Sequence, residues 1–276
     1  MLEEYLSEKQ KKKKERERQL WGLAVIVMVF AICVFAAWII TRSPIFRIDH
    51  FDVTGNQAVP SSDIVTLLWA STAVHRTFLA AFLGINNMLI WPRTLPVSDV
   101  LLVPQLSSVT LQKNYKDHTL LAVVTERVPL AIWCLMPAVD ANGNPMSDES
   151  CFWFDDTGML FEKAFDTEGS ALYAVHDYAQ SGLGIGEKML PDLFVPNMLS
   201  VLEVLKASGL IVKEISLNNI GLEELDVSTY NGPDIYFSLR FSATEDLSVL
   251  QGLMQKPNFS SLQYVDFRTE NRAYYK

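Results

Sequence analysis

Histidines, paired carboxylates, glycine loops and cysteines are the groups through which a chain of this kind could do chemistry, and each is placed unfavourably for it. His50, His75, His118 and His176 are scattered. None sits in an H-E-x-x-H helix or at a Cys/His zinc spacing. Asp155 and Asp156 are adjacent carboxylates. Neighbours on a strand face opposite ways, so the pair suits a turn before Gly158 better than acid–base work. Residues 182–188, GLGIGEK, have the glycines and lysine of a phosphate loop without its G-x-x-x-x-G-K-[ST] spacing. Residues 140–145, DANGNP, alternate oxygen ligands like a calcium loop. Pro145 then stands where such a loop needs glycine, and no glutamate follows at its twelfth position. There is no G-x-S-x-G elbow. The expectation is a protein that is not an enzyme, with no cofactor, no metal and no small-molecule substrate.

Cysteine usage adds one structural candidate. Cys33 lies in an apolar run and reads as a small filler. Cys134 and Cys151 flank a polar, turn-rich stretch and adjoin the strand-like runs AIWC and CFWF. If those runs pair, the thiols meet at the base of a long hairpin loop. Either a disulfide closes it, stabilising by about 3 kcal/mol in the chain-entropy model, or two buried free thiols remain.

The elements that position these residues begin with a membrane anchor. Residues 20–40, LWGLAVIVMVFAICVFAAWII, carry no charge, with Trp21 and Trp38 near the two ends. Such a run is long enough for a hydrocarbon core of about 30 Å. A cleaved secretory signal would have a shorter apolar region and a small-residue cleavage site, which AAWIITRSP does not supply. The first 20 residues hold seven basic and five acidic side chains, so the other 256 carry −11 of the net −9. Lys11, Lys12, Lys13 and Lys14 precede the span, and only Arg42 and Arg47 closely follow it. The positive-inside bias therefore predicts a cytoplasmic basic tail over 1–19 and an extracytoplasmic remainder. An acidic outer part excludes a nucleic-acid partner there.

The outer part reads as α+β. Phe46 and Ile48, then Phe51 and Val53, alternate in opposite phases, which predicts a strand bulged near His50. Gly55 and Asn56 signal a turn; Pro60, Ser61, Ser62 and Asp63 start a helix whose apolar face is Ile64, Leu67 and Leu68. SSVTLQKNY and TLLAVVTERVPLAIW read as two strands joined by a turn at 115–118. Residues 76–104 stay ambiguous because Pro92, Pro96 and Pro104 limit any helix. Further on, residues 196–208 form a helix ended by Gly209, and three strand-like runs follow. Thr244 is expected to cap a helix opening with Glu245 and Asp246. The last sixteen residues, SLQYVDFRTENRAYYK, read as a hairpin whose second strand ends with the chain.

These motifs, in order, resemble the FtsQ/DivIB family of bacterial cell-division proteins. The resemblance rests on Phe46, Ile48, Phe51, Val53, Gly55 and Asn56, followed by Glu126, Arg127, Pro129, Ala131 and Trp133. It continues through Asp155, Gly158 and Phe161, then Leu262, Val265, Asp266, Phe267 and Arg268. Residues 76–104 and the cysteine-flanked loop depart from the family pattern. The resemblance implies a POTRA domain of β-α-(α)-β-β order over 44–127, concerned with recruitment. It also implies a mainly antiparallel β domain carrying helices over 128–276.

The resemblance further implies a non-enzymatic divisome scaffold in the plasma membrane at the septum. It would bind FtsB/FtsL-type coiled-coil partners outside the membrane and help recruit and regulate septal peptidoglycan synthesis. An open C-terminal edge could take up an extended partner segment. Its expected contacts are Leu262, Tyr264, Val265, Asp266, Phe267, Arg268, Tyr274 and Tyr275; a hairpin packed at the sheet centre is the alternative. Two other functions stay open: a POTRA-bearing export or envelope-assembly factor, and a membrane-tethered cell-wall hydrolase.

Overall fold

The computed structural model describes residues 2–74, 78–137, 149–166 and 172–276. Helix α1, Leu2–Arg42, contains the segment Arg16–Ile39, which is 24 residues long and apolar enough to cross a membrane. At 1.5 Å per residue that segment is about 36 Å. Its large apolar side chains, among them Trp21, Phe30 and Phe35, are exposed, so this segment joins no core among the described residues.

The chain forms two compact units. The first contains β1 (His50–Thr54), α2 (Ser61–Val74), α3 (Phe78–Leu83) and most of a three-stranded sheet. After α4 (Val97–Val100) come β2 (Leu106–Asn114) and β3 (Thr119–Glu126), giving the strand order β1-β3-β2 with β1 parallel to β3. Ile64, Leu67 and Leu68 of α2 are buried, as their spacing predicts. Phe51 packs edge-on against Trp69 and Trp91. Residues 93–95 lie along β2, with Leu95 N–H donating to Val109 and Leu111 N–H to Arg93. That covers an edge which would otherwise be open.

The first strand departs from expectation. Phe46 ends a 3-10 turn, Pro44–Phe46, capped by the Ser43 hydroxyl, and is not on a strand. Pro44 presets the tight backbone and offers no N–H to a ladder. Ile48 is buried, but β1 starts at His50 and runs in unbroken register from Thr119 to Val123 on β3, so there is no bulge. Gly55 follows with φ 89°, and a Cβ there would collide with the Val124 carbonyl oxygen. Only glycine fits that position.

The second unit holds a nine-stranded sheet. Its strands are β4 (Ala131–Leu135), β5 (Ser150–Phe154), β6 (Leu160–Ala164), β7 (Ala174–Asp177) and β8 (Val212–Leu217). They continue with β9 (Glu224–Thr229), β10 (Asp234–Ser238), β11 (Tyr264–Thr269) and β12 (Arg272–Tyr275). The order is β12-β11-β10-β9-β8-β7-β4-β5-β6. Five of the eight pairings are antiparallel; β10–β11, β7–β8 and β4–β7 are parallel. Helices α5 (Val195–Ser208) and α6 (Asp246–Met254) cover one face, joining Met198, Val201, Leu205 and Leu250 to Trp133, Phe154, Phe237 and Phe267 in one core. Gly209 ends α5 in the left-handed conformation, φ 73°. Thr244 does not cap α6: Glu245 holds that position without a side-chain bond, and the Thr244 hydroxyl pairs with Ser242 instead. The run 119–133 is two strands in different sheets, interrupted at Pro129, which cannot extend a ladder.

Candidate functional site

The terminal hairpin is the candidate site. Strand β11 lies parallel to β10, pairing Tyr264 with Asp234 and Asp266 with Tyr236. The chain reverses at Glu270 and Asn271, where Asn271 takes φ 58°, a conformation asparagine tolerates. Strand β12 then returns antiparallel to β11, pairing Val265 with Tyr275 and Asp266 with Tyr274. Lys276 N–H donates to the Tyr264 carbonyl at 3.2 Å. Alternation along the strand turns the N–H and C=O of Ala273 and Tyr275 to the outer side. Strand β12 is the end member of the sheet, so no further strand of this chain lies beyond it among the described residues. The opposite end differs: residues 186–188 run along the start of β6, where Leu160 N–H donates to Glu187 and Gly186 N–H to Leu160.

Side chains on the hairpin sort by face. Tyr264, Asp266 and Arg268 lie on the outer face. Arg268 ties three strands together there, with Nη2 to Asp266 Oδ2 at 2.6 Å, Nη1 to Glu224 Oε2 at 2.9 Å, and its guanidinium 4.9 Å from the Tyr236 ring centre. The hydrogen bonds from Arg268 hold the Asp266 carboxyl below its ordinary pKa. Tyr236 and Tyr264 approach at 6.2 Å between ring centres. Tyr274 and Tyr275 are half exposed, and Lys256 Nζ sits 4.8 Å above the Tyr275 ring and 3.2 Å from its hydroxyl.

Val265 and Phe267 need correction as contact residues. Their side chains are 0% and 1% exposed, and Phe267 stacks on Phe237 at 5.5 Å inside the core. The strand's period of two buries them because α5 and α6 cover that face. Leu262 is half-buried against the same core. Sequence reading missed Tyr236, Glu224 and Lys256. The alternation of DIYFS, with Ile235 and Phe237 inward, was the available signal for Tyr236; the other two needed the strand order.

Residues carrying the other motifs build local structure. Glu126 accepts the N–H groups of Val59 (2.9 Å), Ala58 (3.0 Å) and Gln57 (2.7 Å). Burial would raise its pKa, but the Val59, Ala58 and Gln57 N–H groups outweigh that and hold it below the ordinary value. Arg127 donates to the Pro104 carbonyl and to Asp155, and Asp155 also accepts from Thr157 and Met159. These bonds make the turn before Gly158. Pro129 follows Arg127 outside any strand. Cys134 and Cys151 face each other across β4 and β5 and are joined as a disulfide. Asn56 donates to the Ser61 hydroxyl at 3.2 Å.

The described histidines lie on different parts of the fold. His50 is exposed on β1, His118 lies 3.5 Å from Asp49, and His176 is on β7. His75 and residues 140–145 lie outside the described residues. Lys188, the lysine of the glycine loop, is engaged by Asp192 at 2.9 Å and by the Thr157 carbonyl. No family model matches the chain, and no curated protein matches it.

Proposed function

We propose that this chain is a non-enzymatic, single-pass scaffold of the FtsQ/DivIB type in the bacterial divisome. Its basic tail lies in the cytoplasm, and its two compact units stand outside the plasma membrane at the septum. The first unit, with its strand–helix–helix–strand–strand order, serves as a POTRA-type recruitment module. The second unit captures FtsB/FtsL-type coiled-coil proteins and so helps place and regulate the septal peptidoglycan synthase.

The observation that carries this reading is β12, the terminal strand at the rim of the nine-stranded sheet. Ala273 and Tyr275 present main-chain groups outward, which an extended partner segment satisfies by adding a strand. Tyr274 and Tyr275 give it large amphipathic contacts. The charged outer face of Asp266, Arg268 and Glu224 supplies register.

Co-purification from membranes tests the proposal. The unmodified chain should bring down coiled-coil division proteins, and its depletion should give filamentous, undivided cells. Tyr275→Pro removes an outward N–H while leaving the β11 ladder intact, and should abolish capture at unchanged melting temperature. An export defect without filamentation, or wall hydrolysis by the purified protein, contradicts the proposal.

A further inference from the structure

The outer face of β5, β4, β7 and β8 carries a second constellation, away from the hairpin. Register puts Cys151, Cys134 and His176 side by side in one row, because Cys134 pairs with Cys151 on β5 and with His176 on β7. Asp166 reaches over that row, its Oδ1 3.0 Å from His176 Nε2 and 3.8 Å from Cys134 Sγ. The donor atoms of Cys134, Cys151, Asp166 and Glu149 all lie within 4.8 Å of one another. Zinc bonds of about 2.3 Å to sulfur and 2.0–2.2 Å to nitrogen or oxygen put tetrahedral ligands roughly 3.3–3.8 Å apart. The 3.8 Å between Asp166 Oδ1 and Cys134 Sγ falls at the upper end of that range.

His176 lies beside this group. It is 9% exposed, and its Nδ1 is buried without a hydrogen bond although Glu214 Oε1 lies 3.3 Å away. Nε2 is turned toward Asp166 and Nδ1 toward Glu214, so a cation held at Nε2 leaves Nδ1 facing a carboxylate. Glu214 is itself held by the Tyr178 hydroxyl at 3.0 Å. That is the carboxylate–histidine–metal relay which orients ligating histidines.

We propose that, with the Cys134–Cys151 disulfide reduced, Cys134, Cys151, Asp166 and His176 Nε2 form a four-ligand zinc site that closing the disulfide abolishes. An external dithiol supplies two electrons and two protons, breaking the S–S bond and leaving two thiols while the reductant becomes a disulfide. Zinc then displaces both thiol protons to solvent and binds two thiolates, one carboxylate and the neutral imidazole. The site does not depend on the partner-capture reading, since no hairpin residue belongs to it.

The test uses the full chain in detergent, reduced with a phosphine, desalted without oxygen and titrated with zinc chloride. One zinc per chain should bind the reduced form and none the reoxidised form. His176→Ala should weaken binding by about 100-fold or more, and Glu214→Gln by about 10- to 100-fold. Cobalt in place of zinc, on the unsubstituted chain, should show thiolate-to-metal charge transfer and tetrahedral d–d bands. Absence of binding, equal binding by the oxidised chain, or affinity unchanged in His176→Ala overturns the proposal.

Discussion

Arg127 and Asp155 meet as a buried ion pair, Nη1 to Oδ2 at 2.5 Å, with side chains 6% and 4% exposed. They come from two separate sequence motifs, and their pairing gives both a physical purpose. The arginine leads out of β3 and also holds the Pro104 carbonyl, while the aspartate organises the turn into β6. Removing one partner leaves an uncompensated charge in the interior. Arg127→Met should therefore destabilise the second unit by about 3–5 kcal/mol, measured by chemical denaturation.

The same aspartate sets an acid limit. Burial would raise its pKa, but the Thr157 hydroxyl, the Met159 N–H and Arg127 together hold it below the ordinary value. A depressed folded pKa means stability fully present above the unfolded value of about 3.9 and lost as pH falls through the folded value. Denaturation midpoints should fall below about pH 4, and Asp155→Asn should lose this component of the acid dependence.

The disulfide closes a loop of sequence separation 17. In the chain-entropy model that is worth about 3 kcal/mol. Cys134→Ala with Cys151→Ala should lower stability by that amount under oxidising conditions. Under reducing conditions without metal the loss should be smaller, since the unsubstituted chain then lacks the crosslink too.

Gly55→Ala should cost about 1–3 kcal/mol, because the left-handed backbone and the Val124 carbonyl both exclude a Cβ. Thermal melting of the full chain checks it.

Legibility in the sequence followed the strength of local signals. The helix Val195–Ser208 has a clean apolar face, a proline at its start and Gly209 at its end, and it was readable within a residue. The closing hairpin, the Cys134–Cys151 alignment and the apolar span were equally local. Strand β7 was not readable: four residues, AVHD, all buried and with two polar side chains, carry no period-two alternation. Its parallel neighbours β4 and β8 come from distant chain segments, so nothing local announces them. The same holds for His176, whose carboxylate neighbours are brought in by that topology. Phe46 imitated a strand because it alternates with Ile48 just before β1, while Pro44 had already turned the backbone. Val265 and Phe267 were expected as partner contacts; their spacing of two puts them on one face, but that the helices cover that face is a tertiary fact.

Arg268→Glu should disturb the outer face rather than the core. It sets a third carboxylate beside Asp266 and Glu224 and removes the guanidinium from the Tyr236 ring. A loss of about 1–2 kcal/mol in stability is expected, with weaker partner capture at any salt concentration.

Amide hydrogen exchange at the terminal strand, with and without a co-purified coiled-coil partner, tests partner capture most directly. Strand addition predicts strong new protection of the Ala273 and Tyr275 amides on binding, while Tyr274 and Lys276, already turned toward β11, change little. A partner that binds tightly while Ala273 and Tyr275 exchange as fast as before contradicts it.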